Sequence, residues 1–413
     1  MRKIYSALDI GSGYIKLVVG EFLNGKLNIL CAVKKQAKGF IHNQITNQES
    51  LIRTINSVLN EASSKLNFKI TKVIVNIPTD YNEFIVTDSN IPVDNEDGIV
   101  TSNDILKVLQ SASFNQVKPN DELLATIPVI FKVDTNETDK PLGKKGSTIS
   151  LKSVLVTTDK KRVYDLVRVL EQCELEIIDI TTTGLVDYYN FKSKEIDGKN
   201  SIIINLGAST TNISVFSKGI YINNCSLDIG GNIIDKEIAV NYNLRKKEAI
   251  YLKENLALAS INNADVKETL TVPNMDGKDI KINQKELSAL VNKKLEEMLK
   301  IVKKNINLLT KKEISYIIIT GGLAEFKEIA VLLNKIFGKN TKIGNINEIG
   351  ARDNSYSVAI GMLKYFNSKL SLRGKEYSCV TENDLEQMTN NNGKLTGSGD
   401  SLIGKVVNYL FDN

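Results

Sequence analysis

The fold is decided by two stretches of similar design, LDIGSGYIK at Leu8–Lys16 and INLGASTTNISVF at Ile204–Phe216. In each, an apolar strand ends in Asp or Asn, an apolar residue and glycine, and a short turn of small residues leads into a second apolar strand. Asp9 and Asn205 occupy the same place in the two copies, about 196 positions apart. We interpret this repeat as two related halves of an α/β chain that face each other. A chance similarity between two β-hairpins is the alternative.

A third glycine turn, Gly321-Gly322-Leu323, separates a predicted strand at 315–320 from a predicted helix at 324–337. Backbone N–H groups of such turns can approach an anion closely, because glycine has no Cβ. Two facing hairpin turns of this kind clamp a triphosphate tail, and the third turn suits a flat ring or a phosphate. The chain has no GxxxxGK[ST] motif, so a P-loop is excluded.

Two charged residues flank the first turn. A carboxylate at Asp9 suits a hydrated Mg²⁺ that bridges phosphate oxygens, since this ion keeps several waters and uses one or two carboxylates. Lys16 can neutralise phosphate charge as a point cation. The alternative for Lys16 is a solvent-facing residue of the hairpin.

Composition excludes several classes of protein. The chain has 53 Lys and Arg against 48 Asp and Glu, and a net charge of +5 is too small to indicate nucleic-acid binding. Its four cysteines stand far apart, which is typical of a reducing cytoplasm and not of a metal site. The single histidine, His42, lies in a predicted loop, so a catalytic role is not expected. The sequence shows no signal peptide and no apolar run of about 18 residues, so we expect a cytoplasmic protein.

The three glycine motifs resemble the phosphate-1, phosphate-2 and adenosine motifs of the actin/Hsp70/sugar-kinase superfamily, and within it the chain resembles the FtsA family of bacterial cell division proteins. An inserted domain begins after about residue 80, where this family carries subdomain 1C. The stretch Asp228–Asn243 resembles the family segment GG-x-x-x-T-x-DIA, although Asp235 stands where Thr is usual. A polar linker followed by a short amphipathic helix ends the chain, as in the family.

The resemblance implies an α/β, actin-like two-lobe fold made of ribonuclease H-like duplicated domains, with an inserted α+β subdomain 1C and a C-terminal amphipathic helix. The expected parts are subdomain 1A at 1–80, 178–200 and 350–372; 1C at 81–177; 2A at 201–225 and 311–349; 2B at 226–310; a flexible linker at 373–400; and a membrane-targeting helix at 401–413.

The resemblance also implies a site for ATP and Mg²⁺. The residues expected to bind the nucleotide are Asp9, Gly11, Ser12, Gly13, Tyr14, Lys16, Asn205, Gly207, Ala208, Ser209, Thr210, Thr211, Gly231, Glu237, Lys253, Gly321, Gly322 and Leu323, with Asp9 holding the metal through water. The first connecting motif of the family is matched poorly, since Thr183-Gly184-Leu185 replaces the usual Pro-Leu-Ala. Ala359 and Gly361 match the second connecting motif.

The main departure from the family lies at phosphate-2, where Asn205 and Asn212 replace the usual Asp residues. An amide can hydrogen-bond water but supplies no negative charge and no general base. We therefore expect nucleotide binding with weak or absent hydrolysis, and no residue is assigned as catalytic. Restoring Asp at position 205 is expected to raise any ATPase rate.

In function, the resemblance implies a filament-forming adaptor on the inner face of the cell membrane at the division site. It would tether the tubulin-like ring protein FtsZ by its C-terminal peptide, with Lys293, Lys294 and Lys300 as candidate contacts, and subdomain 1C could bind other division proteins. A solvated helix face is the alternative for the lysines. Alternatives for the whole chain are a small-molecule kinase and a pilus-assembly adaptor of the same superfamily.

The last thirteen residues are predicted to lie in the membrane interface. Their apolar side chains form two adjacent helical rows, Leu402, Val406 and Leu410 beside Ile403, Val407 and Phe411. Docking of this helix on the protein's own core is the alternative.

Overall fold

The computed structural model describes residues 2–385. The predicted membrane-targeting helix and its six apolar residues lie outside the described residues, as does the part of the predicted linker from 386 to 400.

The chain begins with an antiparallel meander that is followed by a helix and a strand parallel to β1. The elements are β1 Lys3–Ile10, β2 Tyr14–Leu23, β3 Lys26–Gln36, β4 Phe40–Ile41, β5 Gln44–Ile45, α1 Gln48–Leu66 and β6 Lys72–Ile77. Asn24 and Gly25 both have positive φ, 50° and 77°, in the tight turn between β2 and β3. The Asn47 side chain caps α1 by accepting from the Ser50 amide.

An inserted unit follows, with an antiparallel sheet of order β7-β10-β8-β9. Its elements are β7 Glu83–Pro92, α2 Ser102–Ser113, β8 Asp121–Val133, β9 Asn136–Thr138, β10 Thr148–Asp159 and α3 Lys160–Glu171. Helix α2 buries Ile105 and Val108 against Phe131 and Leu151 of the sheet. The Asp159 side chain caps α3 by accepting from the Arg162 backbone amide. Helix α3 packs against the core of the preceding unit, which anchors the insertion.

Strand β11, Glu176–Thr182, returns the chain to the first sheet, whose order is β11-β6-β1-β2-β3. Strands β11, β6 and β1 are parallel. Helices α4, Thr183–Phe191, and α5, Lys194–Asp197, then lead to the second half of the chain.

The second half repeats this topology, which confirms the repeat inferred from the two hairpin motifs. Its sheet has the order β14-β13-β12-β17-β18, with β12, β17 and β18 parallel and β12 to β14 antiparallel. The elements are β12 Asn200–Leu206, β13 Thr211–Ser217, β14 Ile220–Leu227, α6 Gly231–Asn241, α7 Lys246–Asn255, β15 Thr269–Pro273, β16 Asp279–Asn283, α8 Gln284–Leu309, β17 Tyr316–Thr320, α9 Ile329–Phe337 and β18 Thr341–Ile343.

The segment after β17 differs from the predicted helix at 324–337. A 3₁₀-helix covers Gly322–Glu325, and α9 begins only at Ile329. Glu328 adopts the left-handed conformation with φ 63°, which no α-helix can continue through. The break keeps the third glycine turn separate from the body of α9.

Helix α10, Ser357–Leu372, lies against α4, and both helices share one core cluster with residues of the two sheets. Gly361 lies at the contact, where a Cβ atom would come within 2.1 Å of the Val186 carbonyl oxygen. The backbones of the connecting helices therefore touch, which only glycine permits at this position.

The segment after α10 does not behave as the flexible linker predicted from Arg373 onward. The Cys379 amide donates to the Ile4 carbonyl over 2.8 Å, and Val380 is buried in the first-lobe core. Thr381 and Asp384 exchange hydrogen bonds as a helix N-terminus does. The described part of this segment, up to Leu385, thus packs on the first lobe because its apolar residues join the core of that lobe. Within residues 2–385, no helix is long and apolar enough to cross a membrane.

Candidate nucleotide-binding site

A cavity of about 390 Å³ lies between the lobes, and the three glycine turns form its walls. Most of the residues predicted for the site line it: Asp9, Gly11, Ser12, Gly13, Tyr14, Lys16, Asn205, Gly207, Ala208, Ser209, Thr210, Gly231, Lys253, Gly321, Gly322 and Leu323. Residues that the sequence did not single out also contribute, including Asn43, Asn76, Phe326 and Ser355. Chain regions more than 300 residues apart thus meet at one place.

Thr211 and Glu237 belong to the predicted set but not to the cavity wall. The Thr211 hydroxyl donates to the Ile229 carbonyl over 2.8 Å and so fixes the backbone that leads into α6. Glu237 faces away from Gly231 on α6, where its carboxylate forms an ion pair with Lys294 at 3.0 Å. Glu237 is thus not part of the cavity wall in this structure, because helical periodicity turns its side chain toward α8, and its contact with nucleotide stays a prediction.

The first hairpin holds an ion pair at the cavity floor. Asp9 and Lys16 are direct cross-strand partners, and Lys16 Nζ lies 2.6 Å from Asp9 Oδ2. The same ammonium donates to the Ser355 carbonyl at 2.7 Å, just before α10. Both side chains are largely buried, so Lys16 is not the solvent-facing residue of the alternative interpretation. It links the hairpin to the connecting helix.

The second hairpin carries an amide pair at the equivalent positions. Asn205 and Asn212 are cross-strand partners, as Asp9 and Lys16 are in the first lobe. The Asn212 Oδ1 atom accepts from the Thr79 hydroxyl across the cleft at 2.9 Å. The Thr79 carbonyl in turn accepts from the Asn224 Nδ2 atom at 2.7 Å. These bonds hold the lobes together at one end of the cavity.

Behind Asn205 lies a buried carboxylate that sequence reasoning missed. The Asn205 Nδ2 atom donates to Asp187 Oδ2 over 2.7 Å, and the Ser357 hydroxyl donates to Asp187 Oδ1 over 2.5 Å. Burial raises the pKa of Asp187 to about 7, although both hydrogen bonds oppose the shift; the nearby Asp9 carboxylate adds to it. In the sequence, this carboxylate is indicated by one Asp within the apolar run at 184–189.

His42 contributes to the cleft through its backbone. Its amide donates to Ser209 Oγ over 3.2 Å, and its half-exposed ring lies 3.5 Å from the Asp228 carboxylate. Both His42 and Asn43 have positive φ, in agreement with the predicted loop. The loop between β4 and β5 therefore reaches the second phosphate turn from the opposite lobe.

The residues present fit a phosphate chain. A Cβ atom on Gly13 would lie 2.8 Å from Ala208 Cβ, so the facing turns approach as closely as backbone allows. Ser12 and Ser355 belong to the cavity wall, and their buried hydroxyls have no hydrogen-bond partner within the described residues. Such hydroxyls and the backbone N–H groups are donors that phosphate oxygens require.

The residues fit Mg²⁺ only in combination with phosphate and water. The described residues contain no group of three or more His, Cys, Asp or Glu side chains that could hold a metal ion. Asp9 remains as a carboxylate beside the phosphate turns, and one carboxylate plus phosphates is an arrangement that this ion commonly uses.

The opposite end of the cavity is bounded by α7 and the third glycine turn. Lys253 Nζ lies 2.6 Å from Asp235 Oδ1, and both side chains are nearly buried. Asp235, which stands at the family's usual Thr position, therefore neutralises and orients the lysine. Leu323 and Phe326 add apolar surface that suits a planar base.

Comparison with known proteins decides the family. The family model described as "Cell division protein FtsA" matches residues 202–361, and the model described as "SHS2 domain inserted in FTSA" matches residues 80–157. Together they take in more than half of the chain. This chain belongs to the FtsA family of cell division proteins.

Full-length FtsA relatives are similar to almost the whole chain. FtsA of Bacillus subtilis (strain 168) is 24% identical over 379 residues, which cover 91% of this chain and 86% of the relative. FtsA of Escherichia coli (strain K12) is 24% identical over 428 residues, covering 99% of this chain and 98% of the relative.

Solved structures show that this FtsA-family fold is actin-like, as predicted. The type IV pilus biogenesis complex PilM-PilN superposes with a TM-score of 0.58 at 13% identity, over 87% of this chain and 97% of that one. MreB5 of Spiroplasma citri bound to AMPPNP superposes with a TM-score of 0.54 at 14% identity, over 89% and 97%. At such low identity the likeness concerns the fold alone.

Proposed function

We propose that this FtsA-family protein binds ATP together with Mg²⁺ between its lobes and serves as a filament-forming membrane adaptor for the division-ring protein FtsZ. The observation that carries the nucleotide site is the interlobe cavity, where both hairpin turns and the third glycine turn converge. Support also comes from the nucleotide analogue bound to MreB5, a protein of the same fold.

Each part of the cavity has a role in this proposal. The turns at Gly11–Tyr14 and Gly207–Thr210 offer backbone N–H groups to the phosphates, and Lys16 supplies a positive charge beside them. Asp9 would hold a hydrated Mg²⁺, which neutralises phosphate charge when bound. Lys253, Leu323 and Phe326 would bound the base and ribose.

Slow or absent hydrolysis is part of the proposal. Asn205 lines the cavity where the superfamily's hydrolases place a carboxylate that helps to orient water, and a neutral amide cannot act as a general base. Nucleotide would then act mainly by holding the lobes in one relative position, which favours filament contacts.

The membrane role rests on the sequence of the tail. One short helix with six apolar residues and a single lysine binds weakly, because ordering its backbone offsets much of the gain from burial. A filament that presents many tails raises the effective concentration and binds far more tightly. Filament formation and membrane attachment are therefore coupled.

Vesicle co-sedimentation tests this proposal directly. The full chain should pellet with vesicles that contain anionic lipids, and more so with ATP and Mg²⁺. Truncation after Gly399, or Phe411→Glu, should abolish pelleting while ATP affinity is unchanged. A truncated protein that still pellets would contradict the assignment of the tail as the anchor.

The same assay separates the alternatives. A small-molecule kinase of this superfamily requires a carboxylate base near the transferred phosphate and no lipid-binding tail. Such a protein would phosphorylate a hydroxyl substrate and would not pellet with vesicles. A pilus-assembly adaptor is likewise expected to lack a lipid-binding tail, so it would not pellet either.

A further inference from the structure

We propose that Asp187 is a positioning residue of the nucleotide site, which fixes the side-chain amide of Asn205 so that the amide oxygen faces the cavity. The inference rests on the proposed nucleotide function and adds a residue that the motifs of the site do not contain. It explains how an amide can stand at the phosphate-2 position.

The hydrogen-bond pattern determines the orientation of the amide. The Asn205 Nδ2 atom donates to Asp187 Oδ2 over 2.7 Å, and above the pKa of Asp187, about 7, the carboxylate can only accept, which keeps the amide nitrogen on this side. The Asn205 oxygen is thereby directed to the other side, toward Gly321, where a Cβ atom would come within 2.5 Å of Oδ1. Gly321 is itself part of the cavity wall.

The carboxylate is held in place as firmly as the amide. Its second oxygen accepts from the Ser357 hydroxyl at the start of α10. Asp187 is 1% exposed and belongs to α4. One connecting helix thus carries the carboxylate, and the other connecting helix and β12 each donate one hydrogen bond to it.

The negative charge expected at phosphate-2 therefore lies behind the cavity wall and not on it. Asn205 presents a neutral acceptor, which can accept from a water in the shell of a bound Mg²⁺, while the carboxylate that orients it sits on α4. A second carboxylate at position 205 would face Asp187 at hydrogen-bond distance, and like charges that close repel strongly. The expectation from the sequence that Asp at position 205 raises any ATPase rate therefore applies only when Asp187 is replaced by Asn as well.

The test exchanges the two groups. Asp187→Asn, Asn205→Asp and the double variant are compared with the wild-type full chain. ATP affinity is measured by calorimetry in the presence of Mg²⁺ and of EDTA, and thermal unfolding is followed in parallel. Asp179→Asn is the matched control: it removes the charge of another Asp in the first lobe whose side chain is largely buried and pairs with Lys369 outside the cavity.

Asp187→Asn should reduce affinity in Mg²⁺ by about tenfold, the factor expected for loss of one charge-assisted hydrogen bond, and change the affinity in EDTA much less. Asn205→Asp alone should bind ATP at least as weakly as Asp187→Asn and unfold at a lower temperature than wild type. The double variant should return to within about threefold of wild type, because the pair is restored in reverse. Asp179→Asn should leave both affinities unchanged.

Three results would overturn the inference: wild-type affinity in Asp187→Asn, an equal loss in Asp179→Asn, or a double variant no better than the weaker single one. Absence of any nucleotide binding by the wild-type chain would overturn the proposed nucleotide site, and the inference with it. The failure of each proposal is therefore visible separately.

Discussion

The amide of Asn205 and the buried carboxylate of Asp187 form a donor–acceptor pair, 2.7 Å apart, between β12 and α4. In the first lobe, the position equivalent to Asn205 is occupied by Asp9, which pairs with Lys16 on the neighbouring strand. The two lobes therefore use different polar partners at equivalent positions. One lobe pairs its carboxylate across the hairpin, and the other takes its carboxylate from a connecting helix.

The third glycine turn offers a test with neighbouring residues. Gly321 has φ 89°, and a Cβ atom there would meet both Asn205 Oδ1 and the Leu206 carbonyl at 2.5 Å. We expect Gly321→Ala to lower the free energy of unfolding by about 1–3 kcal/mol, from backbone strain and steric conflict, and to weaken ATP binding.

Gly322→Ala is the control, since its Cβ would have Ser355 Cβ as its nearest neighbour at 3.9 Å, an ordinary contact distance. Chemical unfolding and calorimetry measure both quantities. Equal behaviour of the two variants would show that the turn is not sterically restricted.

Asp187 also predicts a dependence of stability on pH. Burial raises its pKa to about 7 in the folded protein, against about 3.9 for an unfolded chain. Ionisation therefore costs stability, fully above pH 7 and progressively less as the pH falls toward about 4, where the unfolded chain also binds the proton. Asparagine does not ionise, so its contribution to the free energy of unfolding does not change with pH in this way.

The stability of Asp187→Asn relative to wild type should thus rise from pH 5 to about pH 7 and stay constant above pH 8. Urea unfolding at several pH values measures this difference, in which the titration of all other groups cancels. A difference that does not change with pH would contradict a raised pKa for Asp187. The groups near it are Asp9 and Lys16, and both are retained in the variant.

Asp9→Asn tests the metal contact. The substitution keeps the shape of the side chain but removes the carboxylate charge that a hydrated Mg²⁺ would use. We expect the enhancement of ATP affinity by Mg²⁺ to be largely lost, while affinity in EDTA is kept because Lys16 still faces the phosphates. Calorimetry with and without Mg²⁺ measures the enhancement. An unchanged enhancement would assign the metal to other ligands.

The basic face of α8 can be tested by a charge swap. Lys294 forms ion pairs with Glu237 at 3.0 Å and Glu297 at 3.1 Å, so its reversal changes both local structure and surface charge. If α8 binds an acidic FtsZ peptide, the single variant Lys294→Glu and the swap Lys294→Glu with Glu237→Lys should differ in peptide affinity. The swap keeps the ion pair and the net charge, whereas the single variant keeps neither.

We expect the single reversal to weaken peptide binding and the swap to recover part of it. Lys300→Glu, at a residue paired with Glu296 on the same helix, should weaken binding without affecting the contact to α6. Fluorescence anisotropy with a labelled acidic peptide measures the affinities. Unchanged binding in all three variants would favour the interpretation of a plain solvated helix face.

The sequence by itself determined the parts that depend on local chemistry. The two hairpin motifs carry their strands, turns and small residues within a few positions, so the repeat and the glycine turns could be read without a structure. The same holds for the cap at Asp159 and the Asn-Gly turn, because a capping side chain or a positive φ is a property of neighbouring residues.

Only the tertiary structure decided which side chains act together. Asp187 is one acidic residue in an apolar run, and its role follows from β12 and α10 approaching it from distant parts of the chain. Glu237 turned toward Lys294 and away from the cavity for a similar reason, since the neighbouring α8 offered it a partner. The composition of the segment around Val380 predicts a linker, yet the segment packs because Val380 is buried in the core of the first lobe. Motifs within one hairpin are local in sequence, whereas burial and pairing depend on residues brought together by the whole fold.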